Sequence, residues 1–291
     1  MKELVILSGK GGTGKTSLTA SFASLAKNKV LCDADVDASD LWLILSPKIK
    51  KEEEFRSGHI ARINKDKCTE CGLCRELCRW DAINEDFVID EIECEGCGVC
   101  YHFCSERAID FPEKICGKWF ISDTRFGPMV HARLGIAEEN SGKLVALVRQ
   151  EARKIAEENG LELIITDGPP GIGCPVISSI GGATAVLIVA EPTVSGIHDM
   201  QRVLQLADHF DVPAMICVNK ADINPEETKK IISFAQRKKI PVLGEIPFDP
   251  IFTKAMIQGK NVIEFDKDSI VSKKIKEIWK SAQTLIKAWA K

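Results

Sequence analysis

The sequence predicts an α/β protein, a doubly wound and mostly parallel sheet interrupted by a small inserted α+β domain. Short, continuously apolar runs alternate with stretches of helical period along most of the 291 residues. The first run leads at once into Gly9-Lys10-Gly11-Gly12-Thr13-Gly14-Lys15-Thr16, a phosphate-binding loop of the G-x-x-x-x-G-K-[ST] type. Eight of the 12 cysteines crowd into two runs between residues 68 and 104, where the alternation stops.

Leu4-Val5-Ile6-Leu7 has the form of a strand buried on both faces, because a parallel sheet covered by helices leaves no polar side. Residues 17–25 read as a helix, 30–34 as a second strand, and the charge run 48–54 as an exit from the sheet. Residues 58–112 form the insert, so 1–57 and 113–291 together make the nucleotide domain. The sheet resumes with strands at 161–166, 185–190, 214–219 and 242–246, and helices are expected at 144–159, 197–209, 225–238 and 270–290.

An apolar content of 45% suffices for a packed core. A net charge of −3 gives no electrostatic case for a nucleic-acid surface. No apolar stretch approaches the roughly 20 residues that span a bilayer. The start Met1-Lys2-Glu3-Leu4-Val5 carries no charged-then-apolar leader, so a reduced cytoplasmic setting is expected.

The cysteine runs are Cys68-x2-Cys71-x2-Cys74-x3-Cys78 and Cys94-x2-Cys97-x2-Cys100-x3-Cys104, the spacing of a cuboidal iron-sulfur ligand set used twice. Paired runs of this kind imply two [4Fe-4S] clusters, each fourth cysteine serving the other run's cluster. Cys68, Cys71, Cys74 and Cys104 would hold one, and Cys94, Cys97, Cys100 and Cys78 the other. Zinc favours two separated pairs, and disulfides need an oxidising compartment. The insert resembles bacterial-type ferredoxins, and the repeat extends beyond the ligands: Ile63, Gly72, Ala82 and Ile83 recur as Ile89, Gly98, Ala108 and Ile109. Arg79 and Ser105 stand where ferredoxins usually carry proline.

In the phosphate loop the glycines let backbone N–H groups face the phosphates, Lys15 reaches the β- and γ-phosphates, and Thr16 is placed for Mg2+. Ser17 continues the loop into the helix. With Lys10 present, the loop resembles that of the MinD, ParA, Mrp and nitrogenase iron-protein superfamily of P-loop NTPases. The resemblance continues through Cys32-Asp33-Ala34-Asp35 (switch I), Thr166-Asp167-Gly168-Pro169-Pro170-Gly171 (Walker B and switch II) and Ile246-Pro247-Phe248-Asp249 (base loop). It covers nearly the whole chain.

The resemblance implies ATP and Mg2+ as ligands and a homodimer closed across the nucleotide. It implies catalytic roles for Lys10, acting on the partner's phosphates, and for Lys15, Asp35 as orienter of the attacking water, and Asp167 as a water-mediated Mg2+ holder. Gly9, Gly11, Gly12, Thr13, Gly14, Lys15, Thr16, Ser17, Asp33, Gly171, Asn219, Pro247 and Asp249 would complete the nucleotide site. Asp33 and Asp37 read equally well as helix caps or loop carboxylates. Asn219-Lys220-Ala221-Asp222 also fits the N-K-x-D of GTPases, so ATP is the preferred nucleotide with GTP as the alternative.

Cys174 follows Asp167 by seven residues, the offset of a cluster ligand shared between subunits in the nitrogenase iron protein. A free thiol is the favoured reading. Cys116 is the other candidate outside an expected strand, and Cys32 and Cys217 read as core. The last helix sets Val271, Ile275, Ile278, Ala282, Leu285 and Trp289 on one face and Lys273, Lys274, Lys276, Lys280, Lys287 and Lys291 elsewhere. Packing on the sheet is favoured over membrane contact. Histidines 59, 102, 131, 198 and 209 show no paired ligand spacing.

The leading functional expectation is a dimeric ATPase switch whose nucleotide state governs electron transfer, or iron-sulfur or metal-cofactor assembly, through two clusters. Its partner would be a redox or cofactor-assembly protein, with no nucleic acid. Ligation by eight permanent cysteines favours electron transfer over cluster delivery. The alternative is a ParA/MinD-like spatial regulator with a redox-sensing module.

Overall fold

The structure, a computed structural model, describes residues 1–135, 138 and 140–290. Two compact units divide the chain. One comprises Met1–Glu53, Trp119–Arg133 and Ser141–Lys291; the other comprises Glu54–Lys118 and Leu134–Asn140.

In chain order, β1 (Lys2–Ser8) leads through the glycine loop into α1 (Lys15–Leu25), then β2 (Lys29–Asp33), α2 (Leu41–Leu45) and β3 (Lys48–His59). Next come β4 (Arg62–Ile63), α3 (Leu73–Leu77), α4 (Val99–Phe103) and β5 (Ile109–Asp110). A hairpin of β6 (Glu113–Thr124) and β7 (Gly127–Leu134) precedes α5 (Ser141–Glu158), β8 (Leu163–Pro170), α6 (Cys174–Ile180) and β9 (Ala185–Ala190). The chain ends with α7 (Val194–His209), β10 (Ala214–Asn219), α8 (Pro225–Lys238), β11 (Val242–Ile246), α9 (Ile251–Ile257), α10 (Val262–Phe265) and α11 (Ile270–Trp289).

Among the described residues nine strands form one sheet, ordered β11-β10-β9-β1-β8-β2-β7-β6-β3. Every neighbouring pair from β11 to β7 is parallel. Alternate side chains of β1 enter different cores. Leu4 and Ile6 join the core formed with α1 and α11, whereas Val5 and Leu7 join that formed with α6, α7 and α8. Apolar layers on both faces of a parallel sheet are the doubly wound arrangement. The β2–β8 register sets Asp33 beside Asp167, which brings two distant sequence motifs to one edge.

The charge run at 48–54 does not leave the sheet. It opens β3, which stands at the sheet's end with nearly every side chain exposed. Periodicity cannot reveal a strand wet on both faces, and its charges guard an open edge. Lys50–Asp123 (3.0 Å) and Lys51–Glu53 (2.7 Å) pairs line it. The β6–β7 hairpin and the short helices α2, α6, α9 and α10 also lacked a periodic signal.

The expected packing of the last helix is observed. Val271, Ile275, Ile278, Trp279, Ala282 and Ile286 of α11 are buried, and Trp279 lies 4.8 Å from the Phe22 ring. Lys291 lies outside the described residues. Among those described, no helix is long and apolar enough to cross a membrane.

The second unit repeats itself structurally. β4 and β5 pair antiparallel through Ile63 and Ile109, and Ile83 bridges Ile89 in the same sense. Asn64 N–H donates to Ala108 O at 2.7 Å, and its repeat equivalent Asp90 N–H donates to Ala82 O at 2.8 Å. Gly72 and Gly98 open α3 and α4 with φ of 84° and 74°, a left-handed turn that a Cβ would strain.

Candidate nucleotide site and cysteine cavities

Ser8 ends β1, and Gly14 turns the loop into α1 at φ 91°. A Cβ on Gly14 would lie 2.3 Å from Asn219 Nδ2, so both conformation and space require glycine. Lys15, buried at the first turn of α1, places Nζ 3.0 Å from Asp167 Oδ1 and 3.2 Å from Asp35 Oδ2. Thr16 Oγ1 donates to Asp167 Oδ2 at 2.7 Å, and Thr19 Oγ1 to Asp167 Oδ1 at 3.0 Å.

Asp33 is fully buried beside this group. It accepts from Ser39 Oγ at 2.6 Å and from the Asp35 N–H at 3.2 Å. Burial, reinforced by the Asp167 charge, raises its pKa well above the carboxylate range. Burial also raises Asp35, against the pull of Lys15. Lys15 itself loses solvation, yet Asp167 and Asp35 more than restore its charge and raise its pKa. Burial holds Asp33 toward its neutral form, so the group gathers around one ammonium at the C-terminal ends of β2 and β8 with Asp35 and Asp167 as its ion-pair partners. Thr16 and Asp167 present hydroxyl and carboxylate oxygens in mutual contact, the hard donor type that Mg2+ takes.

Lys10 points elsewhere. Its Nζ lies 3.0 Å from Glu191 Oε2 and 3.3 Å from Thr193 Oγ1. Lys220 reaches the other oxygen of Glu191 at 3.1 Å and donates to Gly12 O at 3.0 Å. Asn219 Nδ2 donates to Thr13 O at 2.7 Å, while Asn219 Oδ1 and Thr13 Oγ1 are buried without a partner among the described residues. Gly171, at φ 90°, donates its N–H to Ser8 O at 2.9 Å. A Cβ on Gly9 would lie 2.3 Å from Asp199 Cβ. Gly11 and Gly12 are exposed, and Ser17 is half-buried on α1. Pro247 follows β11, and Asp249 Oδ1 accepts the Ile251 N–H at 2.9 Å. Asp37 is exposed. Asp222 accepts the Phe248 N–H at 2.6 Å.

The eight clustered cysteines line two cavities of the second unit. Cys68, Cys71, Cys74 and Cys104 border the first, with Phe87 and Phe103. Cys78, Cys94, Cys97 and Cys100 border the second, with Trp80 and Phe111. Cys100 reaches both. Burial pushes its thiol up to about 11, and the charges of Cys94, Cys97 and Cys74 add to that. Among the described residues no three cysteine, histidine or carboxylate groups gather tightly enough for a single ion. All 12 cysteines are free of disulfides.

Residues 4–262 match the CobQ/CobB/MinD/ParA nucleotide-binding domain. The chain belongs to this family. An uncharacterized protein of Methanocaldococcus jannaschii is 34% identical over 287 residues, covering 98% of this chain and 97% of its own. An uncharacterized ATP-binding protein of the same organism is 22% identical, covering 94% and 85%. Among solved structures, MinD of Pyrococcus horikoshii complexed with Mg-ADP superposes with a TM-score of 0.61 at 16% identity, covering 100% and 99%. The MinC:MinD complex of Aquifex aeolicus gives 0.58 at 20%, covering 98% and 96%. At those identities the structural likeness speaks for fold alone.

As a member of the CobQ/CobB/MinD/ParA family the chain is a P-loop ATPase. Within that frame, Lys15, Thr16, Asp33, Asp35 and Asp167 converge, and Asn219 meets the loop, whereas Lys10 turns to Glu191 and Asp249 is spent on its own turn. Glu191 and Thr19 adjoin the site but carried no motif in the sequence, whereas Lys220, read there only within N-K-x-D, joins them through Glu191. Glu191 directly follows the apolar run 185–190, and the ends of buried parallel strands are where such sites lie. Cys174 is exposed at the start of α6. Cys116, expected outside a strand, is instead buried in β6 with its thiol donating to Ser57 O at 3.0 Å. Its spacing carried no apolar period, because β6 alternates irregularly. Cys32 and Cys217 are core residues of β2 and β10.

Proposed function

We propose that this ATPase is a cytoplasmic homodimeric switch carrying two [4Fe-4S] clusters in residues 58–112, with nucleotide state governing electron transfer to a redox or cofactor-assembly protein. The observation that carries this reading is the crossed partition of the cysteines. The fourth cysteine of each run borders the cavity of the other run's first three, as two-cluster ligation requires. When bound, the clusters supply one-electron storage and Mg2+ neutralises phosphate charge.

In this reading the loop N–H groups of residues 9–14 and the start of α1 bind the phosphates. Lys15 leaves Asp167 and Asp35 for the β- and γ-phosphates, freeing Asp35 to orient water. Thr16 and Asp167 would hold Mg2+, with Asp33 behind them. Gly171 would sense the γ-phosphate only by releasing the N–H it donates to Ser8 O, and Lys10 acts on the partner's phosphates. Asn219 must turn Nδ2 toward the Thr13 carbonyl, so its orphaned Oδ1 is an acceptor. An acceptor complements the amino group of adenine and opposes the carbonyl of guanine. Pro247 and Asp249 would border the base, with one Asp249 oxygen holding its own turn and one Asp222 oxygen accepting the Phe248 N–H.

Anaerobically purified protein is expected to be brown with about eight irons per chain. Cys78→Ser should damage the cluster of Cys94, Cys97 and Cys100, and Cys104→Ser that of Cys68, Cys71 and Cys74, as read by EPR. Zinc in place of iron would reject the reading. A second reading, a ParA/MinD-like spatial regulator with a redox sensor, draws support from the family match over residues 4–262. ATP-dependent binding to DNA or anionic vesicles by protein lacking electron transfer would favour it.

A further inference from the structure

We propose that the two cysteine quartets hold centres of unequal potential, the Cys68, Cys71, Cys74 and Cys104 centre being the higher, so that electrons run to it from the Cys78, Cys94, Cys97 and Cys100 centre. This rests on the cluster reading above. The internal repeat supplies its own control, because matched positions have matched geometry and different charge. Asn64 Oδ1 accepts the Asp66 N–H at 3.0 Å, and Asp90 Oδ1 accepts the Ile92 N–H at 2.8 Å. One turn is closed by a neutral amide, the other by a carboxylate.

The contrast continues toward the ligands. Lys65, Lys67 and Thr69 of the first repeat correspond to Glu91, Glu93 and Glu95 of the second. Charges cancel over residues 64–70, whereas residues 90–96 carry four negative charges. Lys65 Nζ lies 5.8 Å from the centre of the Phe87 ring, and Phe87 borders the first cavity. Glu95 borders the second. Glu85 and Asp86, which precede Phe87, narrow the contrast, and Lys65 donates to the Asp86 carbonyl. Glu106, which borders the first cavity, is followed by Arg107; Arg75 adjoins Glu76; and near Cys78, Arg79 is offset by Asp81. Arg62 tempers Glu91 at 3.4 Å, leaving the other three acids of the run.

Backbone donors reach sulfurs of both quartets, Arg75 to Cys74 in the first and Tyr101 to Cys100 in the second, and one further bond lies in the first. Cys104 Sγ accepts the Ala108 N–H at 3.3 Å. Donors and positive charge near the sulfurs stabilise the reduced, more negative state of a cluster, and carboxylates oppose it. With both groups bound, the Cys78, Cys94, Cys97 and Cys100 quartet would hold the one-electron donor, which is oxidised, and the Cys68, Cys71, Cys74 and Cys104 quartet the acceptor, which is reduced. A low-potential one-electron donor refills the acidic side, and a one-electron acceptor discharges the other.

The test is a dithionite titration of anaerobic full-length protein, followed by EPR after its iron content has been measured. Two one-electron waves are expected, separated by at least a tenfold difference in reduction equilibrium, about 59 mV. Asp90→Asn, Glu93→Gln and Glu95→Gln together should raise the lower wave and leave the upper in place. Lys65→Gln with Lys67→Gln should lower the upper wave. Coincident waves, or acid substitutions that move the upper wave, overturn the proposal while leaving the clusters standing. Absence of iron overturns the cluster reading beneath it.

Discussion

Lys10 Nζ lies 3.0 Å from Glu191 Oε2 within one chain, and Lys220 holds the same carboxylate at 3.1 Å. Burial alone would raise the Glu191 pKa, but the two ammonium groups override it and hold the carboxyl below its ordinary value. A lysine bound in this way must exchange a carboxylate for phosphate before it can act across a dimer.

Glu191→Gln is therefore expected to strengthen ATP-dependent dimerisation severalfold, since a neutral amide competes poorly with phosphate. Lys10→Ala should weaken it. Sedimentation with a non-hydrolysable ATP analogue measures both, and equal dimerisation of Lys10→Ala and wild type would contradict the role of Lys10.

Lys15→Ala should abolish nucleotide binding, because it removes the phosphate ligand and leaves Asp35 and Asp167 unbalanced. Asp35→Ala should bind ATP with little change and hydrolyse it more slowly by on the order of 100-fold. Calorimetric binding and single-turnover hydrolysis separate the two effects.

Arg149 and Glu3 form a buried bidentate pair at 2.7 and 2.8 Å that anchors the start of β1 to α5. Arg149→Leu strands much of the Glu3 charge, with Arg153 at 2.8 Å as its remaining cationic partner. A loss of about 3 kcal/mol in urea unfolding is expected.

His131 is buried in β7 with Nε2 2.9 Å from Ser122 Oγ, and burial lowers its pKa to about 4. The unfolded chain takes up that proton near pH 6.5, so the fold favours neutral imidazole. Its contribution is complete above that pH and is lost as pH falls toward 4. The cost reaches on the order of 3 kcal/mol. His131→Gln should flatten the stability profile between those limits.

Sequence alone determined the parallel sheet and its nucleotide loop, because strands buried on both faces must be continuously apolar and a phosphate loop must place glycines between strand and helix. It also exposed the repeated cysteine runs, whose spacing is local. The strand at residues 48–59 was illegible, since a charged edge wet on both faces has no period. Tertiary structure decided which side chains meet. The register of β2 on β8 puts Asp33 against Asp167, and β9 brings Glu191 to Lys10. Cys78 and Cys104 border each other's cavities through the folding of the repeat. Pattern reports what each residue needs from its neighbours along the chain; charge pairing and shared cavities depend on distances across it, and only packing sets those.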